Sequence, residues 1–451
     1  MATLPQSFLF SWDEIEASPE ILRLARVLDA LPDQPIIAAL IKQHRKKRND
    51  YPVEAVWNSL IAGIVFGHAS VESLRRELKR NAELREVCGF NPLLRDGAVP
   101  PAPVYSRFLA KLYKLQHLVD AMFHEPVEQI RVLLPDFGKD LAVDGKAIQT
   151  HGLNDPDAAW GAKKTYLTAG ANGKTNKHTK WWFGYKLHLI VDANYELPVG
   201  FEVSKANAAE TTRLMPMVEE LDEKHPELLA RTENFSGDKG YDDGNDKARL
   251  YDRYGVTPLI DTRNLHMEKI EGEAPKEKWM PLDPYHNDAI YYNGTGRVAC
   301  KVAPFEADDS KAFAWMEFRG FEKDRETLKF RCPAAAFKIE CRNRDSCRCK
   351  LATRDGAHGR VVRIPLGYDR RIFMPTHRHS RTFHNNYKKR SAVERVNSRI
   401  DQVFGFEHHF IRGLEKMKLR VGLTMIVMLA TAAAWIRAGE KEKARSFLRA
   451  A

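Results

Sequence analysis

Apolar residues recur at helical spacing through Ile21, Leu22, Leu24, Val27 and Leu28, and again from Val53 to Phe66. That period predicts amphipathic helices, and the whole section to about Pro135 reads as a small helical domain. Gly67-His68-Ala69 follow the second run, and then Ser70, an N-cap for a helix with the apolar stripe Val71, Leu74 and Leu78. From Asp140 the period changes. Leu141-Ala142-Val143-Asp144 reads as a short buried strand, Tyr185 to Val191 alternates with Leu187, Leu189 and Val191 on one face, and Leu197 to Val203 follows the turn Asp192-Ala193-Asn194. Together they predict an antiparallel meander. A helix is expected from about Ala208 to Leu229, then Gly237-Asp238-Lys239-Gly240, a short helix to Tyr254 and a strand from Val256 to Ile260. Strands first, then alternation of helix and strand, imply an α/β fold with a mixed sheet.

From Asp261 to about Met374 the chain becomes rich in Pro and Lys and holds all but one of its six cysteines. This stretch reads as an inserted subdomain, after which helices are expected from about Asn385 to Ala450. The expected division is therefore 1–135 for a helical DNA-binding or oligomerisation domain, 136–262 with 375–451 for the main α/β domain, and 263–374 for the insert. The longest apolar stretch, Val421 to Ile436, is shorter than the roughly 18 to 20 residues that span a bilayer. It reads as a buried helix.

Composition narrows the class. The chain has 451 residues, 43% of them hydrophobic, and a formal charge of +11. The first figure suits two or three domains with a sizeable core, and the charge favours a polyanionic partner, nucleic acid first. Asp13, Glu14 and Glu16 replace the basic start of a secretory signal, so a cytoplasmic location is expected. Basic residues gather on the second helix of the Val53 to Arg80 pair as Arg75, Arg76, Lys79 and Arg80, with His44-Arg45-Lys46-Lys47-Arg48 nearby. Two helices about a Gly turn, the second one basic, fit a helix-turn-helix on DNA. A solvated charged face of an oligomerisation domain fits them equally.

Three carboxylates carry the candidate chemistry. At 100° per residue Tyr387, Arg390, Glu394 and Asp401 fall within an arc of about 60°, and Val393, Val396, Ile400, Val403 and Phe404 occupy a separate arc. A carboxylate on a packed helix beside an arginine suits a metal or phosphate site; an i,i+4 ion pair on a solvated face suits the same residues. Asp144 follows an apolar strand and precedes Gly145-Lys146, and Asp238 precedes Lys239-Gly240 in a second such context. Open α/β sheets place ligands at strand ends, whereas Asp before Gly also caps turns. With Glu394, the two aspartates form a donor set for hard Mg²⁺ or Mn²⁺ ions, and two such ions serve in-line attack on a phosphodiester.

Asp144 in LAVDGKAI, Asp238 in SGDKGYDD and Glu394 in YKKRSAVERVNSRI resemble the Asp-Asp-Glu trio of bacterial insertion-sequence transposases. Their signature Tyr-x2-Arg-x3-Glu-x6-Lys is matched through Glu394, and Asp401 stands in the place of its Lys. The N-terminal helical section resembles the N-terminal domain of the same family. The resemblance implies an RNase H-like mixed sheet flanked by helices, interrupted by the insert and preceded by the all-helical domain. It implies that Asp144, Asp238 and Glu394 bind two Mg²⁺ or Mn²⁺ ions and that Tyr387 and Arg390 contact DNA phosphates near the cut. It further implies an enzyme of bacterial DNA, at the nucleoid, that binds terminal inverted repeats of double-stranded DNA, cleaves the ends, with a hairpin in second-strand cleavage, and joins a 3′-hydroxyl to target DNA. Holding two ends together makes a homodimer the simplest assembly. A structure-selective nuclease or resolvase on the same core, and a non-catalytic DNA-binding descendant, are the alternative readings.

The cluster Cys332-x8-Cys341-x5-Cys347-x-Cys349, with Cys300 as an alternate, supplies enough thiolates for a structural Zn²⁺. Reduced free thiols suit it as well, and Cys88 reads as a core residue. Gly170-Ala171-Asn172-Gly173-Lys174-Thr175 lacks the first Gly of a phosphate-binding loop and reads as a basic loop. Trp181, Trp182 and Phe183 suit strand-edge packing or stacking on an exposed base. His188 and the pair His408-His409 read as packed or solvated residues.

Overall fold

The computed structural model describes residues 18–43, 51–169, 175–263, 265–268, 276–282, 290–301, 313–338 and 359–445. The basic run 44–48, most of the loop 170–175 and Cys341, Cys347 and Cys349 lie outside them.

The N-terminal section is all helix: α1 Pro19–Ala30, α2 Gln34–Lys42, α3 Val53–Val65, α4 Val71–Arg80, α5 Ala82–Cys88, the single turn α6 Arg95–Ala98, α7 Ala102–Leu112 and α8 Gln116–Leu133. Ser70 caps α4 by accepting from the Ser73 amide at 3.1 Å, which satisfies one of the amides a helix start leaves open. The turn between α3 and α4 needs glycine twice over. Gly67 has φ +64°, and a Cβ there would stand 2.6 Å from the carbonyl oxygen of Val403.

The sheet follows: β1 Asp140–Gln149, β2 Ala159–Ala169, β3 Thr175–Asp192, β4 Leu197–Lys205, then α9 Thr211–Lys224, α10 Pro226–Ala230, β5 Asn234–Gly237, α11 Gly244–Tyr254 and β6 Thr257–Ile260. β3 pairs antiparallel with β1 and with β4, as the alternation of Leu187, Leu189 and Val191 requires. β5 lies parallel to β1, and β6 parallel to β5. This is the mixed sheet of an RNase H-like fold, flanked by helices and preceded by the helical section. Two features depart from the expected pattern. β2 pairs with the first half of β3 as a long two-stranded arm, and the helix expected over 208–229 breaks at His225-Pro226, where Pro226 takes the first position of α10, one that needs no amide donor.

The insert is built from short strands: β7 Met267–Glu268, β8 Lys276–Glu277, β9 Met280–Pro281, β10 Ile290–Tyr292, β11 Val298–Lys301, β12 Phe313–Trp315, β13 Glu317–Glu322, β14 Thr327–Arg331, the turn of helix α12 Pro333–Phe337, and β15 Val361–Pro365. Strands β9 to β12 form one antiparallel sheet and β13 to β15 another. Its own core gathers Ile290, Val298, Leu328, Phe330, Ile364 and Phe373. Cys300 lies on β11 and Cys332 caps α12.

The chain closes with α13 Arg381–Tyr387, a turn of 3-10 helix over Lys388–Arg390, α14 Ser391–Gln402 and α15 Leu414–Arg437. Residues 403–413 separate α14 from α15. From Val421 to Ala433 α15 is apolar all round and buried all round, packed by α1, α8 and β4. One continuous core joins the N-terminal helices, the sheet, α14 and α15.

A buried ionic cluster fastens the insert to the sheet domain. Lys247 of α11 donates to Asp242 at 2.6 Å, and Arg371 reaches the same carboxylate at 2.9 Å. The Arg263 amide also donates to it, at 2.8 Å. The Asp242 side chain is fully buried and that of Lys247 is 1% exposed. Removing one partner of such a pair strands the other charge in the interior, so Asp242→Ala is expected to cost about 3 to 5 kcal/mol by chemical denaturation. Lys247→Met, which keeps the volume and leaves Arg371 on the carboxylate, should cost less.

Candidate active site

The sheet register makes the centre of the site. In the parallel ladder Val143 is opposite Gly237, so Asp144 and Asp238 are the next residues along both strands. Asp144 is not at a turn: β1 continues past it, paired to β3 through Gly145↔His188 and Lys146↔Leu187. It stands where the pairing to β5 stops. Asp238 directly follows β5 and caps the next turn, its Oδ1 accepting from the Gly240 amide at 2.7 Å. Burial, and after it the charge of Asp238, push the Asp144 carboxyl up to about 6.

A residue the sequence reading did not single out lies against both aspartates. Glu210, just before α9, places its carboxylate between the backbones of β1 and the Asp238 turn. A Cβ on Gly145 would stand 2.8 Å from its Oε1, and one on Gly240 would collide with its Oε2. Lys186 of β3 donates to Glu210 Oε1 at 3.2 Å and to the Ala208 carbonyl at 3.1 Å. The available signal was a carboxylate at a helix start directly after a strand, which by itself reads as a cap.

α14 crosses this ground with its apolar face down: Ala392, Val393, Val396 and Ile400 are buried. Asn397 donates from Nδ2 to Asp144 Oδ2 at 3.4 Å, and its Oδ1 is buried with no described donor. Asp401 is joined to Lys146 at 2.5 Å. Glu394 lies in the first turn, half-exposed, and accepts from Arg390 at 2.6 Å. Burial opposes the Arg390 charge, yet Tyr387, Glu394 and Asp144 together hold it above its ordinary value. Tyr387 belongs to α13 and stacks on Phe383 at 5.4 Å. The 3-10 turn therefore breaks the single helical wheel on which Tyr387, Arg390 and Glu394 were placed together. The Arg390 guanidinium still lies 5.8 Å from the Tyr387 ring, so the three remain neighbours by packing.

Among the described residues no three His, Cys, Asp or Glu side chains stand close enough to enclose a metal ion. The donor chemistry nonetheless fits a hard cation. Asp144 and Asp238 crowd like charges at a half-buried place, the Asn397 carbonyl oxygen has no donor among the described residues, and glycines leave room for a further carboxylate. Oxygen donors of this kind are what Mg²⁺ takes.

Elsewhere, two of the four basic residues on α4 are ion-paired within the helix, Arg75 with Glu72 and Arg80 with Glu77. Arg75 also donates to the Pro100 carbonyl at 2.8 Å. His188 is buried between Tyr241 and Ser204, and burial lowers it to about 3, which keeps it neutral. Trp182 is buried and donates to the Tyr185 carbonyl at 3.1 Å, whereas Trp181 is 60% exposed.

Residues 135–430 match the family model described as a transposase DDE domain. Comparison with curated proteins finds no match.

The raised Asp144 carboxyl bears on stability. The folded protein holds that proton more tightly than the unfolded chain does, so this group's contribution falls as pH climbs from the ordinary carboxylate range to about 6, and the loss is complete above it. Without divalent cations, Asp144→Asn is expected to be more stable than the parent at pH 8 by about 1 to 2 kcal/mol. At pH 4 the two should denature alike, a comparison that urea melts at both pH values make directly.

Proposed function

The chain belongs to the transposase DDE-domain family, and from that premise we propose that it is the DNA transposase of an insertion sequence. It binds the terminal inverted repeats of its element, cleaves the ends by hydrolysis of a phosphodiester and joins the freed 3′-hydroxyl to target DNA. The observation that carries this reading is the register that sets Asp144 beside Asp238, with Glu394 on the helix that crosses β1 and β3.

In this reading Asp144, Asp238 and Glu394 hold two Mg²⁺ or Mn²⁺ ions. The chemistry such ions supply is activation of a water or hydroxyl and neutralisation of the departing oxygen. Glu394 joins the aspartates by giving up Arg390, and Arg390 then turns to a DNA phosphate beside Tyr387. A bidentate guanidinium is suited to that exchange, because carboxylate and phosphate present it with the same oxygen geometry. The exposed Arg76 and Arg80 of α4 offer charge to the duplex. Residues 1–135 serve end binding and pairing in a homodimer on DNA, 136–262 with 375–451 the chemistry, and 263–374 an inserted module whose cysteines suit a structural zinc and free thiols alike.

The test is cleavage of a labelled duplex carrying the DNA that flanks the gene, with Mg²⁺ or Mn²⁺, at equal DNA binding. Glu394→Gln is expected to lower nicking at the element end by at least about a hundredfold, the loss that follows removal of a group facing transition-state charge. Equal nicking by both proteins would take Glu394 out of the chemistry, and binding without cutting by either would turn the reading to a DNA-binding protein.

A further inference from the structure

We propose that the cavity between the N-terminal helices and α15 binds an amphipathic carboxylate, an apolar body whose single charge is taken up by Arg420. The inference does not depend on the transposase reading and concerns residues outside the carboxylate trio.

The cavity measures about 490 Å³, a size that suits a small molecule. Its apolar wall includes Leu60 of α3, Val71 and Leu74 of α4, and Leu419 and Leu423 of α15. Its permanently charged side chains are Arg412, Lys416 and Arg420, and no Asp or Glu among the described residues lines it. Arg420 is the residue that needs a reason. It keeps only part of its surface exposed, and burial pulls its guanidinium down to about 10, which leaves it a cation at neutral pH. One N–H reaches the Phe404 carbonyl at 2.8 Å, and the Phe406 ring lies 5.7 Å from the guanidinium. No carboxylate among the described residues pairs with it. Other enclosed cations in the molecule are provided for: Lys247, Arg378 and Arg399 each meet a carboxylate, and Arg85 donates to the carbonyls of Leu78, Lys79 and Pro92. A guanidinium offers five N–H donors, and a charge drawn out of water without a counter-charge is costly. The surface left to Arg420 is the cavity, where Arg412 and Lys416 add charge of the same sign. An apolar wall ending at such a group fits one carboxylate on an apolar body. The body lies on the leucines, and the head accepts from two N–H groups side by side. A sugar-phosphate backbone suits the wall poorly, since its polar groups would be buried there without partners. A purely structural Arg420, tying α15 to the chain at Phe404, accounts for one N–H and leaves three cations around the cavity without an anion.

The test is calorimetric titration of the full-length protein with octanoate, set against octanol, which has the body without the charge, and acetate, which has the head without the body. Octanoate is expected to bind at least about tenfold more tightly than either, the gain that hydrogen bonds between charged groups supply. Arg420→Met keeps the volume and removes the charge. It is expected to lose the preference for octanoate over octanol while binding octanol as the parent does, a split that a merely structural role for Arg420 would not produce. Val71→Glu sets a carboxylate at the half-buried start of α4, in the wall of the cavity, and is expected to lose octanoate by repulsion and by competing for the cations. Should Arg420→Met fail to fold, Val71→Glu decides, because it leaves the contact between Arg420 and Phe404 in place. A parent protein that binds none of the three overturns the proposal. So does one that binds octanoate no better than octanol, which makes the cavity apolar only, or no better than acetate, which gives Arg420 to any small anion. A preference for octanoate that survives either substitution in a folded protein overturns it as well.

Discussion

The parallel pairing of Val143 with Gly237 forces Asp144 and Asp238 into neighbouring positions on adjacent strands, and their repulsion is a load the surrounding structure has to carry. At the roughly 5 Å strand spacing, two such charges oppose each other by about 3 kcal/mol at an effective dielectric of 20. The sheet can carry it because β1 is held on both edges, by β3 along its whole length and by β5 up to Val143. Part of the load is removed by chemistry: Asp144, raised to about 6 by burial first and Asp238 second, readily takes a proton. The rest is met by Lys186 and Arg390, which approach from β3 and from the start of α14.

α14 is held over this pair by two kinds of force with different geometric content. Its apolar face, Val393, Val396 and Ile400, fixes how deep it sits but tolerates sliding. Position along the sheet is set by ion pairs at separate points. Lys389 reaches Asp140 at the start of β1 at 2.6 Å, and Arg395 and Arg399 both reach Glu196 in the β3–β4 turn, with Arg445 3.7 Å away. Glu196 is buried and has φ +57°, a left-handed conformation that costs a residue with a side chain about 1 to 2 kcal/mol. Three guanidinium groups gather on that one carboxylate, those of Arg395 and Arg445 about half-exposed. Pairs of this sort contribute little net stability; their use here is to fix where Glu394 and Asn397 stand relative to Asp144.

What could be read from the sequence follows from what local pattern can encode. The alternation of Leu187, Leu189 and Val191 records one buried face of a strand, and the apolar stripes of α1 and α4 record one buried face of a helix. The helix stripes were legible because burial and period coincide; the strand was legible from its apolar period alone, since His188 and Ile190 on its other face are buried too. The β2–β3 arm was not, since Lys163, Lys164, Lys177 and Lys180 give it no apolar alternation to detect, and its pairing is between backbones. The insert was legible only as a change of composition, because strands of two to six residues are too short to show a period. Asp238 could be placed after a strand from Phe235 and Gly237 alone. Asp144 looked like a strand end because its apolar run stops there, although β1 continues under the cover of β3. Glu210 carried only the local mark of a carboxylate at a helix start: its surroundings come from Gly145 and Gly240, each distant in sequence, and from a register that no single segment contains.

The site also differs in charge from the molecule that carries it. The side chains acting on one another here are the carboxylates of Asp144, Asp238, Glu210, Glu394 and Asp401 and the basic groups of Lys146, Lys186 and Arg390. Five against three leaves a formal excess of two negative charges in a chain whose total is +11. Asp401, standing where the transposase signature has Lys, adds to that excess, and Lys146 takes it back through their contact at 2.5 Å. Because Asp144 and Lys146 are two residues apart on β1, they leave the same face of the strand, so the cation that meets Asp401 stands on the Asp144 side of the sheet. The strand lysine and the helix aspartate together add no net charge to that side. That sum is what bears on the site, since the field at Asp144 depends on which charges surround it and not on which element supplies them.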